Sequence, residues 1–160
     1  MTQCYVSVGS NIDKEKNIAA GLNSLHETFG ELTVSPTYET AAIGFEGDDF
    51  YNLVVGFESN LAAHDIAKKL RDLEFAHGRL PNSQKFSPRY LDLDLLLYGE
   101  AIIDDGKLKL PRPDIERYVF VLQPLTDLAP DLIHPVHKKT YREMLESLLM
   151  HSPEQKIGML

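Results

Sequence analysis

Residues 89–99 read RYLDLDLLLYG, from Arg89 through Asp92 and Asp94 to Gly99. The run has the composition of a buried strand, interrupted by two carboxylates. Successive side chains of a strand alternate faces, so Asp92 and Asp94 share one face, with Leu93, Leu95 and Leu97 on the other. Two like charges at i, i+2 repel, so a cation is expected beside them. Mg2+ is one candidate, because it accepts one or two carboxylates and fills its remaining positions with water and substrate phosphates. Neutralisation by Arg89 and nearby lysines is the other.

Outward from this strand the chain alternates between two periods. β-prone runs occupy 4–8, 32–38, 52–59 and 91–98. Between them, Ile18, Leu22, Leu25 and Phe29 recur at helical spacing after Asp13, a candidate cap, and stop at Gly30. Ile66, Leu70 and Leu73 form a second helical stripe after Asn60, another candidate cap, and stop at Gly78. The order is β-α-β-β-α-β, which predicts an α+β fold with a ferredoxin-like core and an antiparallel sheet. A proline-rich turn at 110–113, a helix at 116–128 and a helix at 140–149 then form a C-terminal helical extension.

Length and charge narrow the function. The 160 residues suit one domain, 1–160. A net charge of −8 argues against a general nucleic-acid binder. There is no long apolar run and no signal-like start, and the single Cys4 cannot pair within the chain. Cytoplasmic residence is the expectation. His77 and the His134/His137 pair read as ordinary residues, because the sequence offers no third ligand at zinc-like spacing.

Residues 85–96, KFSPRYLDLDLL, resemble the signature of the 6-hydroxymethyl-7,8-dihydropterin pyrophosphokinase family, in which a basic residue and Gly-Pro-Arg precede D-L-D. Val8-Gly-Ser-Asn11, Tyr38-Glu-Thr40, Phe50-Tyr-Asn52, Glu74 with Gly78-Arg79, and Phe120 in VFVLQPL support it. The resemblance spans nearly the whole chain. It implies transfer of diphosphate from MgATP to the 6-hydroxymethyl group of a reduced pterin, with release of AMP, in folate synthesis. It implies Asp92 and Asp94 as ligands of Mg2+, two ions in all, and Arg79 and Arg89 as the other catalytic groups. Glu74, Arg79, Lys85, Phe86, Arg89, Arg112 and Arg117 would bind ATP. Thr40, Ala41, Ile43, Phe50, Asn52 and Phe120 would bind the pterin. The expected partners are these two small molecules, with a monomer, no nucleic acid and no membrane.

The chain departs from the family pattern mainly on the nucleotide side. Phe86 stands where Trp is usual, Ser87 for Gly, Pro81 for a loop arginine, Arg112 for His, Tyr118 for Arg, and Ala41 for Pro. A divergent pterin-binding or regulatory homologue with weak or no kinase activity is therefore the alternative.

Overall fold

The computed structural model describes residues 1–42, 46–80 and 90–160. Expectations for Ile43, Lys85, Phe86 and Arg89, and the departures at Pro81 and Ser87, lie outside the described residues. The elements are β1 (Thr2–Ser10), α1 (Lys14–Phe29), β2 (Thr33–Val34), β3 (Tyr38–Thr40), β4 (Phe50–Ser59) and α2 (Ala63–Ala76). They continue with β5 (Asp92–Tyr98), β6 (Ile103–Asp104), β7 (Lys109–Leu110), α3 (Asp114–Arg117), α4 (Val119–Leu128), α5 (Tyr141–His151) and β8 (Gly158–Met159). The main sheet runs β5-β1-β4-β3-β8, with β2 also beside β4, and β1 is antiparallel to both neighbours. This is the ferredoxin-like βαββαβ core, as the order of periods predicts.

The sheet is covered on both faces. On one, Val6, Val8, Leu53, Val55, Leu93 and Leu95 pack against Ile18 and Leu25 of α1 and Ile66 and Leu70 of α2. On the other, Val54, Leu96 and Leu97 pack against Ile115, Leu122, Leu125 and Tyr141 from α3, α4 and α5. Each fully buried aliphatic side chain contributes about 1.5–3 kcal/mol, so neither layer is dispensable. At Gly21 of α1 a Cβ would lie 2.7 Å from Leu91 Cδ1. The helix thus seats directly on the residue that precedes Asp92.

Four local expectations are corrected. First, Leu97 does not share a face with Leu93 and Leu95. The β1–β5 register slips between Tyr5 and Val6, which pair with Leu97 and Leu95, so Leu96 is an extra residue. This bulge puts Leu96 and Leu97 both on the face of α4. Second, the run 32–38 is two short strands, separated at Ser35. Ser35 N–H donates to Val54 O and its Oγ accepts from Val54 N–H, both at 2.9 Å, while Pro36 has no N–H to give.

Third, neither candidate cap closes a helix. Asp13 sits in the left-handed region at φ 43° with no side-chain cap, and α2 starts beyond Asn60, after Ala62. Fourth, the helix at 116–128 is broken at Tyr118, whose backbone is extended at φ −125°, ψ 122°. α5 does begin as expected, with a capping box between Thr140 and Glu143.

Candidate active site on the α4 face of the sheet

Register decides which side chains meet. In an antiparallel pair, residues directly opposite share a face. Gly9 of β1 pairs with Asp92 on one side and Asn52 on the other, and Asn52 pairs with Tyr38. Ser7 pairs with Asp94 and Val54, and Thr40 with Phe50. A row Asp92–Gly9–Asn52–Tyr38 therefore crosses four strands, with Asp94, Phe50 and Thr40 on the same face. That face is the one covered by α4, since Tyr38 Oη donates to Asp127 there. Phe120, in the first turn of α4, is half-buried and stacks on Tyr118 with ring centroids 5.0 Å apart.

The charged end of the row is built around Asp94. Its carboxyl keeps 26% exposure, and Arg112 Nη2 lies 3.4 Å from Oδ1. Burial, then the charge of Asp92, push the Asp94 carboxyl up to about 7, and Arg112 only partly opposes them. Arg112 is shared, because its Nε lies 3.3 Å from Asp114 Oδ2. Burial works against its charge, but Asp94 and Asp114 outweigh it and hold the guanidinium pKa above its usual value. The bulge places this arginine: Arg112 N–H donates to the Leu96 carbonyl at 3.0 Å.

Below the aspartates lies Glu74, 1% exposed. Its Oε2 accepts from Leu93 N–H at 2.9 Å, between the two aspartates in sequence. Its Oε1 takes Arg79 Nη1 at 2.5 Å and Arg71 Nε at 3.2 Å. Glu74 thus anchors the strand and two arginines from underneath. Arg79 is 14% exposed, lies over the Phe75 ring, and has a buried Nε with no hydrogen-bond partner among the described residues. Of the remaining expected residues, Ala41 is exposed just past β3, and Arg117 is exposed at the end of α3.

At the other end of the row, Asn52 Nδ2 donates to Thr40 Oγ1 at 2.7 Å, leaving Asn52 Oδ1 turned toward Gly9. A Cβ on Gly9 would lie 3.0 Å from that oxygen and 3.8 Å from Phe50 Cδ1. Gly9 and Tyr38 were missed as site residues by motif reading. Both lie in stretches that match the family pattern, but Gly9 falls just past the 4–8 run, and the strand that makes it interior extends to Ser10.

The histidine pair also has a partner the sequence could not supply. Glu116, His134 and His137 bring one ligand-type atom each within 4.8 Å of one another. Yet His134 Nδ1 already accepts from Val136 N–H and His137 N–H, both at 3.1 Å. That fixes the proton on Nε2 in the neutral ring, the reverse of a metal-ligating histidine, which donates from its second nitrogen.

Two half-buried carboxylates on one face, Asp92 and Asp94, with Arg112 beside Asp94, are oxygen ligands of the kind a hard divalent cation accepts together with phosphate oxygens. Half-buried Asn52, Thr40 and Phe50 on that face, with half-buried Phe120 at the start of the helix that covers it, are an amide, a hydroxyl and aromatic rings of the kind that suits a flat, hydrogen-bonding heterocycle. Comparison with known proteins identifies the family. The family model for 7,8-dihydro-6-hydroxymethylpterin-pyrophosphokinase (HPPK) matches residues 5–130. The 2-amino-4-hydroxy-6-hydroxymethyldihydropteridine pyrophosphokinase of Pseudomonas aeruginosa PAO1 is 38% identical over 136 residues, 82% of this chain and 83% of that one. Its counterpart in Aquifex aeolicus VF5 is 32% identical over 145 residues, 89% of this chain and 90% of that one. A solved structure of Plasmodium falciparum HPPK-DHPS with pteroate aligns at TM-score 0.75 and 14% identity. This chain is covered over 96% and spans 43% of that one, and the likeness bears on the fold alone.

Proposed function

Because the chain belongs to the 7,8-dihydro-6-hydroxymethylpterin-pyrophosphokinase family, we propose that it transfers diphosphate from MgATP to the hydroxymethyl oxygen of 6-hydroxymethyl-7,8-dihydropterin, giving the pterin diphosphate and AMP for folate synthesis. The observation that carries this reading is the single sheet face on which Asp92 and Asp94 stand beside Gly9, Asn52, Phe50 and Thr40. On this reading the phosphate end lies at β5 and the heterocycle end at β4 and β3, with Gly9 of β1 between them.

Phosphoryl-type transfer asks for alignment and charge neutralisation more than covalent help from the protein. Asp92 and Asp94 would hold Mg2+, which supplies charge neutralisation at the phosphate oxygens when bound. Arg112, held between Asp94 and Asp114, has a planar fork suited to phosphate oxygens. Asn52 and Thr40, held to each other by the Nδ2–Oγ1 hydrogen bond, would orient the pterin with their remaining donor and acceptor atoms, with Phe120 and Phe50 as apolar walls. Glu74 holds the backbone of β5 so that both carboxylates stay on one face. A monomer with cytoplasmic residence is part of the same proposal; among the described residues no helix is long and apolar enough to cross a membrane. The alternative of a pterin-binding protein without turnover gains no support from the site or from the relatives.

The direct test is AMP formation by the purified protein. AMP should appear from MgATP only when 6-hydroxymethyl-7,8-dihydropterin is present, in equal amount to the pterin diphosphate. Pterin binding without AMP would leave a binding protein, and AMP without pterin would mean a different acceptor.

A further inference from the structure

Residues 153–160 lie outside the stretch that the family model matches, and they touch both β3 and the start of α4, the elements that carry Thr40 and Phe120. One contact is at the break between α3 and α4. There the helix is interrupted at Tyr118, which frees the Val119 N–H and the Arg117 carbonyl from helical partners. Gln155 takes up both: its Oε1 accepts from Val119 N–H at 3.0 Å and its Nε2 donates to Arg117 O at 3.1 Å. A side-chain amide is well suited to this, having one acceptor and one donor on the same group. These two backbone groups bracket Tyr118 and precede Phe120, so Gln155 fixes the entry angle of the Phe120 wall.

The other contact is on the opposite wall. β8 adds to the free edge of β3, with Met159 opposite Tyr38 and Gly158 opposite Glu39, and Leu160 N–H donates to Thr37 O at 2.9 Å. β3 is only Tyr38–Thr40, and its last residue is the partner of Asn52. Between the two contacts, Ile157 packs against the α4-side core. A short segment thus bridges the strand that carries Thr40 and the helix start that carries Phe120.

We propose that residues 155–160 are a positioning strap that sets the gap between the β3 wall and the Phe120 wall, and so set affinity for the pterin ring without taking part at the phosphate end. The proposal rests on the pterin reading of the slot. A flat ring held between two walls is sensitive to their separation, whereas Asp92, Asp94 and Arg112 are held from the far side of the sheet edge, by β5, Glu74 and the Leu96 carbonyl.

The experiment compares wild type with Gln155→Leu, with Gln155→Glu, and with a chain ending at residue 156. Gln155→Glu is isosteric and keeps the acceptor for Val119 while losing the donor to Arg117, so it stays informative if the harsher variants do not fold. Calorimetry measures 6-hydroxymethyl-7,8-dihydropterin binding in the presence of Mg2+ and a non-hydrolysable ATP analogue, and binding of the analogue alone. Gln155→Leu and the shortened chain should weaken pterin binding by about tenfold or more and Gln155→Glu by less, with the ATP analogue within about twofold of wild type. In turnover, KM for pterin should rise while kcat at saturating pterin holds. Unchanged pterin affinity in any folded variant overturns the strap, and so does an equal loss for both ligands, which marks general loosening. If wild type itself binds no pterin, the reading of the slot falls first and the strap with it.

Discussion

At the scale of single residues, the site is assembled against the protein's own stability. Asp94 is ionised at little cost in the unfolded chain, where its usual value is 3.8, and at greater cost in the fold, where burial and Asp92 lift it to about 7. A raised folded value means that its contribution is intact below the unfolded pKa and is lost as pH rises toward 7. Asp94→Asn should therefore raise the melting temperature of the ligand-free protein at pH 8, with the gain shrinking as pH falls toward 4. The same substitution should lower AMP formation by a factor on the order of hundreds if Asp94 is one of the two carboxylates that hold Mg2+, as proposed. A ligand-free melting temperature that is unmoved at pH 8 would show that the pair is not strained.

Gly9 is the second such position. Gly9→Ala places a methyl against Asn52 Oδ1 and Phe50. It should weaken pterin binding by roughly 1–3 kcal/mol through a displaced amide, with little change in melting temperature; calorimetry with pterin reads it directly. The two aspartates were legible because a charge pair in an apolar run is costly and so informative. Gly9 was not, because its role is to be absent from space that Asn52 fills, and only the register reveals that.

At the scale of elements, Glu74 joins α2 to β5. Removing a buried carboxylate leaves Arg79, itself mostly inside, without its counter-charge. Glu74→Ala should cost roughly 3–5 kcal/mol, measured by urea denaturation, and Glu74→Gln less. If Glu74→Ala were neutral in stability, the residue would be acting chiefly on nucleotide. The helices and long strands were readable from their periods, since each buries one face continuously. The split of the 32–38 run, the break at Tyr118 and the terminal β8 were not. Each depends on a partner far away in sequence: Val54 for Ser35, Gln155 for Val119, and the edge of β3 for Gly158 and Met159. The bulge at Leu96 was hidden for a similar reason, because three consecutive leucines carry no mark of which one is extra.

At the scale of the whole molecule, the loop between α4 and α5 is tied down through His134, 3% exposed. Burial first, then the neighbouring His137, hold its pKa below the usual 6.5, while Glu116 opposes them. A histidine that resists protonation in the fold favours the unfolded chain as pH drops: its contribution is whole above 6.5 and lost below it. Asp94 runs in the opposite sense, so the measurement must be a difference. The stability gap between wild type and His134→Gln should be widest near pH 8 and should narrow by pH 5. A gap independent of pH would mean that His134 is not held neutral.

The two cores on opposite faces of one sheet have a further consequence. In the proposed reading the carboxylate pair and the pterin groups share the α4 side, so damage to chemistry alone should be confined to that face, beyond the core that Val54, Leu96 and Leu97 form there. In a comprehensive substitution library scored both for protein amount and for growth without folate, changes facing α1 and α2 should move the two scores together. Changes at Gly9, Asn52, Asp92 or Asp94 should lower growth while the amount of protein holds or, for Asp94, rises. Near the site the strand residues would then sort by parity, Gly9 and Asn52 against Val8 and Leu53. Along β5 the parity should invert once, at Leu96, where the extra residue turns the strand over.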